Sequence, residues 1–401
     1  MGNDVLKGHH LVYFGPGKWD GLWRNRHQLM SRFAQCNKVL YVEPVVSLSM
    51  LRNQLWHKQL RWNDFWQAAK QSCVTMAADN LYIYHSPVFF PISGRFPLNK
   101  ITWWAWKLRL KLAMKKLGPH RPIIWLSKPT MGSYIGSFNE KLVIYHVVDE
   151  YLSYGNMDVQ TRAIVEALER KVLEKVDLVI VVSKKLLHSK KAFNEHTYLV
   201  PNGVDYASYD RVMLSNNSLP SDIARLPRPV IGYSGLISRR LDLNLLQHLA
   251  ITHPEWSIAL IGAINDHGCK EELRCLWEMK NAYFLGLKEI KQVPYYVKAF
   301  DACLVPYAIN EQTENLSPLK LYDFMAAGKP IVATNFPAAQ EFKDVIYLAD
   351  SQETFALCVE KALHENNDAL SIQRRRIASQ NTWEHRVEQI SGLIEVHLPH
   401  K

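Results

Sequence analysis

The chain has 401 residues, 48% of them hydrophobic and 21% charged. That length exceeds what one hydrophobic core organises, and the composition excludes a disordered or low-complexity chain, so two folded domains are expected. The net charge of +10 favours an anionic partner: a nucleic acid, a membrane surface or a phosphorylated substrate. No run of about 18 uncharged apolar residues is present to span a bilayer. The opening Met1-Gly2-Asn3-Asp4 does not read as a secretory leader, and a cytoplasmic protein is expected. Cys36, Cys73, Cys269, Cys275, Cys303 and Cys358 form no C-x-x-C pair, which argues against structural zinc and against a disulfide framework.

In chain order, short β-branched or aromatic runs alternate with longer helical patterns, which predicts an α/β protein with parallel sheets. Strands are predicted at 10–14, 38–42, 81–85, 123–126, 142–146, 178–182 and 198–200, with helices such as 21–35 and 159–175 between them. The stretch from Pro201 to Pro229 is dense in turn formers (Asn202-Gly203, Asn216-Asn217, Pro220, Pro227) and reads as a connection. A second series of strands follows at 230–234, 257–261, 282–285, 302–306, 330–333 and 345–348. Helical spacing of Trp383, Val387, Ile390 and Ile394 closes the chain. The expected boundaries are an N-terminal domain at 1–205 joined by a returning helix at 382–401, a linker at 206–229 and a C-terminal domain at 230–381.

Three regions carry residues suited to chemistry. Phe14-Gly15-Pro16-Gly17 follows a strand and precedes a helix, but Gly15, Gly17 and Gly21 depart from the dinucleotide fingerprint. Trp19, Arg24, Arg26 and His27 come next, either as solvated surface or as a patch that meets a substrate. In the second region, Tyr145-His146-Val147-Val148-Asp149-Glu150, an apolar strand ends in two carboxylates. Ligands of open α/β sheets sit outside the carboxyl ends of strands, so Asp149 either takes a proton from a hydroxyl there or caps the next segment.

The third region runs from Val305 to Val332. Ser317-Pro318 is placed to start a helix as a cap with proline at the first position, and its free N–H groups and Lys320 then converge as a diphosphate seat. Asp323, one turn on, is placed to accept hydrogen bonds from sugar hydroxyls. Gly232-Tyr233-Ser234-Gly235 breaks a strand, and Arg239-Arg240 follows as a phosphate clamp or an ordinary solvated basic pair.

At these residues the sequence resembles the glycosyltransferases of the GT-B fold. Trp19-Asp20 with Arg26-His27-Gln28, Val39-Leu40-Tyr41-Val42-Glu43-Pro44, Pro201-Asn202-Gly203-Val204-Asp205, Gly232 to Asp242 and Ser317 to Pro330 carry the resemblance, in the order seen in polysaccharide and teichuronic-acid-type transferases. The resemblance implies two Rossmann-like domains with parallel sheets facing a central cleft and a C-terminal helix crossing back to the first domain. It implies transfer of a sugar from a nucleotide diphosphate donor, expected to be a UDP-sugar, with no cofactor and no metal. Gly235, Arg239, Arg240, Glu311, Ser317, Lys320 and Asp323 become the expected donor contacts, and Trp19, Arg24, Arg26 and His27 the expected acceptor contacts. The paired glutamates of the large retaining branch are replaced by Asn315 and Asp323, so Glu311 or Glu314 would have to supply the missing carboxylate. Ser317 to Asp323 instead resembles the β-glucuronosyltransferase of xanthan assembly, an inverting enzyme, which implies Asp149 as the base.

Helical projection of 101–117 gives an inner stripe of Trp106, Leu110, Ala113 and Leu117 and an outer one of Trp104, Leu108 and Leu112, bordered by Lys107, Lys111 and Lys115. An outward apolar face with flanking cations suits the surface of an anionic bilayer, extended by Trp56, Trp62 and Trp66, and would bring the protein to a lipid-linked sugar or glycan acceptor on the inner membrane face. A buried helix with snorkelling lysines is the alternative. Other readings are a non-catalytic assembly subunit with the same fold, or a sugar-nucleotide epimerase. A nucleic-acid partner is not expected, because no zinc module and no purely basic region is present.

Overall fold

The computed structural model describes residues 5–45, 73–86, 98–118, 121–151, 157–310, 313–315, 317 and 319–399. Trp56, Trp62, Trp66 and Glu311, singled out above, lie outside the described residues. The chain divides into two compact units, Met1–Val200 with Val387–Lys401, and Pro201–Arg386.

The first unit is built on β1 (His10–Phe14), β2 (Lys38–Val42), β3 (Val74–Ala78), β4 (Leu81–Tyr84), β5 (Ile123–Leu126), β6 (Leu142–Val147), β7 (Leu178–Val181) and β8 (Thr197–Leu199). Their order across the sheet is β3-β4-β2-β1-β5-β6-β7-β8, parallel except for β3. Around them lie α1 (Asn25–Phe33), α2 (Leu98–Leu117), α3 (Val159–Leu173) and α4 (Lys184–Lys191). The central strands are buried along their length, as expected of strands covered on both faces. β3 is the strand that pattern reading missed. It is an antiparallel edge strand with four consecutive exposed residues, Thr75 to Ala78, so it shows no apolar alternation to detect. Helix α1 begins at Asn25, not at Gly21, and leaves residues 15–24 as a loop.

The second unit opens with α5 (Tyr206–Leu214) and α6 (Ser221–Ala224). Its sheet, from β9 (Val230–Ser234), β10 (Ser257–Ile261), β11 (Ala282–Gly286), β12 (Ala302–Val305), β13 (Ile331–Thr334) and β14 (Tyr347–Ala349), has the all-parallel order β11-β10-β9-β12-β13-β14. The covering helices are α7 (Leu243–Thr252), α8 (Lys270–Trp277), α9 (Val293–Ala299), α10 (Leu319–Ala326), α11 (Pro337–Gln340), α12 (Gln352–Leu363) and α13 (Asp368–Ser379); α14 (Trp383–His397) starts in this unit, and its residues from Val387 on belong to the first.

The stretch 206–229, expected as a linker, is folded into this unit. Asp205 caps α5, Tyr209 and Ile223 are buried in the core, and Lys298 of α9 donates to the Val212 carbonyl at 2.9 Å. Turn formers here end and start short helices. Residues 201–205 and 382–386, expected with the first domain, also fall in the second unit, where the Val204 N–H donates to the Asn381 carbonyl at 3.0 Å and the Trp383 N–H to that of Val204 at 3.2 Å.

In both sheets the chain progresses outward in one direction and then reverses: between β1 and β5 in the first unit, and between β9 and β12 in the second. At such a reversal the loops at the strand carboxyl ends diverge to opposite faces and leave room for a ligand. Both groups of candidate site residues come from loops at the strand carboxyl ends or from the helices that follow them.

Candidate functional site

In the second unit the loop after β9 crosses the sheet end beside the loops after β10 and β12. The Gly235 N–H donates to the Ile261 carbonyl at 2.8 Å, the Ile237 N–H to that of Ala263 at 2.9 Å, and the Asp242 N–H to that of Pro306 at 2.8 Å. Gly262 has φ +146°, and any Cβ there would collide with the Gly235 carbonyl, so the two loops approach this closely only with glycine at 262. The Ala308 N–H donates to the Arg240 carbonyl at 2.9 Å, fixing the end of the arginine loop against the segment that leads toward α10.

Lys320 lies in the first turn of α10, and its ammonium donates to Asp323 Oδ2 at 2.9 Å. Both side chains are largely sheltered. Burial raises the Asp323 carboxyl above the usual carboxylate range; Lys320 opposes this without cancelling it, and the negative charge of Asp205 adds to the rise. Tyr307, just after β12, feels the positive charges of Arg240 and Lys320 and the negative charge of Asp323, and its hydroxyl is hydrogen-bonded with that of Tyr233 at the end of β9. Burial nonetheless keeps both phenols neutral, with raised pKa. Gly235 lies against the Tyr233 hydroxyl.

The structure therefore brings Gly235, Arg240, Lys320 and Asp323 together around Tyr233 and Tyr307. Arg239 parts from this group: it is exposed, and its side chain runs beside Gly268 and Cys269 in the turn before α8. The Arg239-Arg240 pair is divided between two faces of its loop.

Ser317 was expected to cap α10. Its hydroxyl receives the backbone N–H of Asn202 at 3.1 Å, and its carbonyl receives Asn202 Nδ2 at 2.7 Å. The Asn202 carbonyl in turn accepts from Arg386 Nε at 3.3 Å. The Pro-Asn-Gly turn thus holds the entry to α10. Tyr233, Tyr307 and Asn202 were missed as site residues; the tyrosine before the Gly235 break and the Asn-Gly pair were visible, but read only as strand and turn.

In the first unit, the 15–24 loop is held over the ends of β1, β2 and β5. Tyr41 donates to the Gly17 carbonyl at 2.6 Å, Lys128 to that of Pro16 at 2.9 Å, and the Trp19 N–H to Glu43 Oε1 at 3.0 Å. His27 accepts the Arg24 N–H on Nδ1 and faces the Trp19 carbonyl with Nε2, both at 2.8 Å, which fixes the Nε2–H tautomer. Burial, then the neighbouring Arg26 charge, lower its pKa to about 4, so it is neutral at pH 7. Arg26 donates to the Lys18 carbonyl at 3.1 Å. His27 and Arg26 thus shape the loop, which presents a half-buried Trp19 and an exposed Arg24.

Asp149 lies two residues beyond β6 and is half-buried. Its neighbour Glu150 accepts from Lys190 at 2.9 Å, and Lys190 also bonds Glu169 at 2.8 Å. Tyr151 donates to the Ser127 carbonyl at the end of β5. The loop that carries Asp149 is therefore held in part through the side chains of Glu150 and Tyr151. His146 is buried on the opposite face of β6 from Tyr145; its pKa is lowered to about 3 by burial, which leaves it neutral beside Trp125.

On α2, Trp104 is 65% exposed, Leu108 43% and Leu112 52%, while Trp106, Leu110 and Ala113 are buried, so the two expected stripes are present. Lys111 and Lys115 are exposed. Lys107 departs from the expected flank: its ammonium turns to Ser137 Oγ at 2.9 Å and the Ser133 carbonyl at 3.2 Å, over the Trp103 ring. Within the described residues no helix is long and apolar enough to cross a membrane.

Comparison with known proteins fits this geometry. Residues 228–365 match the profile of the family "Glycosyl transferases group 1". A curated protein of Bacillus subtilis (strain 168), "Putative teichuronic acid biosynthesis glycosyltransferase TuaH", is 28% identical over 234 residues; the alignment spans 55% of this chain and 57% of that protein. Among solved structures, HepE of Anabaena in complex with UDP and glucose superposes with a TM-score of 0.66 at 16% identity, covering 97% of this chain and 100% of that one. Sucrose-phosphate synthase of Thermosynechococcus elongatus gives 0.69 at 17% identity, over 97% and 98% of the two chains. The chain has the two-domain fold of these solved structures, and its residues 228–365 are similar to the group 1 glycosyltransferase family.

Proposed function

We propose that this chain transfers a glycosyl group from a nucleoside diphosphate sugar, specifically a UDP-sugar, to a lipid-linked or polysaccharide acceptor in the making of a cell-surface glycan. The single observation that carries the reading is the convergence of Arg240, Lys320 and Asp323 on Tyr307 at the sheet reversal of the second unit. Two cations beside a helix start and neutral hydroxyls make a seat for a diphosphate, with Asp323 placed to accept from a sugar hydroxyl. The UDP complex of a structural neighbour supports the donor class, and the matched relative supports transfer of a glycosyl group to a surface glycan.

In the proposed reaction, Asp149 removes the proton from an acceptor hydroxyl as its oxygen bonds to the anomeric carbon. The bond from that carbon to the diphosphate oxygen breaks, and the nucleoside diphosphate leaves with the bonding pair. Lys320 and Arg240 stabilise the charge that develops on it, so no metal is needed for that task. A thermal-shift panel of UDP, GDP, ADP and dTDP tests the donor class: UDP is expected to raise the melting temperature in a concentration-dependent way. No shift with any of the four would sink the proposal.

We further propose that the protein works on the cytoplasmic membrane face, docked through Trp104, Leu108 and Leu112 with Lys111 and Lys115. Each such lysine near an anionic surface contributes about 1 kcal/mol. Lys111→Glu with Lys115→Glu is therefore expected to weaken sedimentation with phosphatidylglycerol vesicles by at least about 30-fold. Unchanged sedimentation would show that this face does not meet the bilayer.

A further inference from the structure

At the edge of the first unit's sheet a groove of about 780 Å³ opens between β3, β4 and the second half of α2. That volume is in the range of ligand sites. Its walls are apolar along Leu112, Leu117 and Met76, and among the described residues none of its lining is acidic. Arg109, Lys115 and Lys116 supply positive charge to the same walls.

One polar group in this lining is unsatisfied. Tyr84 is fully buried, and its hydroxyl has no hydrogen-bond partner among the described residues. Burial raises its pKa, so it remains an O–H donor; the Arg109 charge and the Cys73 thiol both act on it. Arg109 Nη2 itself reaches Cys73 Sγ at 3.5 Å. A buried O–H without an acceptor, beside a guanidinium, lacks an anionic oxygen.

We propose that the groove seats one anionic phospholipid of the bilayer. Its phosphate receives Tyr84 O–H and Arg109 N–H, and an acyl chain lies along Leu112, Leu117 and Met76. Charge complementarity selects an anion, and Leu112 belongs both to the groove and to the exposed stripe with Trp104 and Leu108, which gives a lipid a continuous apolar path. The proposal rests on the membrane-docking reading above. The occupant is an anchor and not the acceptor: β4 and β6 are four strand steps apart, about 19 Å, too far for a diphosphate bonded directly to a sugar at Asp149.

The test uses the full chain and dihexanoylphosphatidylglycerol below its micelle concentration, so that no bilayer is present. The rate of Cys73 alkylation by N-ethylmaleimide is followed by mass spectrometry, with the exposed Cys36 as internal control. The lipid is expected to slow alkylation of Cys73 and not of Cys36, and dihexanoylphosphatidylcholine to have little effect. Tyr84→Phe and Arg109→Gln, each checked for an unchanged melting temperature, are expected to raise the protecting concentration about 10-fold. Equal protection by both lipids, protection unaltered in both variants, or stronger protection by a polyprenyl phosphate would overturn the proposal. Cys73 protection by the short lipid together with vesicle binding that ignores Lys111→Glu and Lys115→Glu would keep the groove and refute the docking face. Charge-dependent vesicle binding without Cys73 protection would refute the groove alone.

Discussion

Replacing Asp149 by alanine or asparagine is expected to lower kcat by about 10²–10⁴-fold, the usual contribution of a positioned general base, while leaving the dissociation constant for UDP unchanged. The separation of the two effects follows from what holds the loop after β6. Glu150 is fixed by Lys190, which is shared with Glu169, and Tyr151 is tied to the Ser127 carbonyl. The backbone around residue 149 keeps these anchors when its side chain is replaced. Asp149→Asn preserves shape and hydrogen bonding but cannot take the proton, and is expected to be as inactive as the alanine variant. Single-turnover rates and isothermal titration with UDP on the same preparations check this. Weakened UDP binding, or a lowered melting temperature in Asp149→Asn, would reassign Asp149 to structure.

On the proposed reading, in which Lys320 donates to the diphosphate and stabilises the leaving group, Lys320→Ala is expected to weaken UDP binding and lower kcat/KM, together by about 10²–10³-fold. The change acts on Asp323 as well. Its carboxyl already sits above the usual range through burial, and without the ammonium at 2.9 Å that rise is no longer opposed. The variant is thus expected to bind UDP less tightly without gross unfolding, since a carboxyl can respond to a lost cation by taking up a proton. Lys320→Arg should restore only part of the affinity, because the planar guanidinium cannot keep the point contact with Asp323 and the diphosphate together. Wild-type UDP affinity in Lys320→Ala would show that the donor is not held by this helix start.

The alternation of strands and helices was legible because the central strands of both sheets are buried on both faces and read as continuous apolar runs, as in Ile123–Leu126 and Ala302–Val305. β3 was illegible for the opposite reason, being exposed along most of its length. The connection at 206–229 was misread because Pro220 and the Asn216-Asn217 pair signal breaks in secondary structure, not breaks in the core; Tyr209 and Ile223 supply the core contacts that make the segment part of its unit. At the site, Lys320 and Asp323 were recoverable from helical spacing, since residues three apart share a face. The division of Arg239 from Arg240 depends on how one loop lies against Gly268 and Tyr307, which no local pattern encodes. His27 illustrates a further limit: an imidazole next to arginines reads as a substrate contact, yet both nitrogens are taken by the backbone of its own loop.

The proposed function requires that the loops of the second unit around Lys320 grip a nucleoside diphosphate. Hydrogen exchange of the full chain with and without saturating UDP measures this directly. Slowed exchange is expected at the backbone amides of 235–242, 307–310 and 319–323, with residues 15–24 unaffected by UDP alone. Protection confined to 15–24, or none in the second unit, would contradict it.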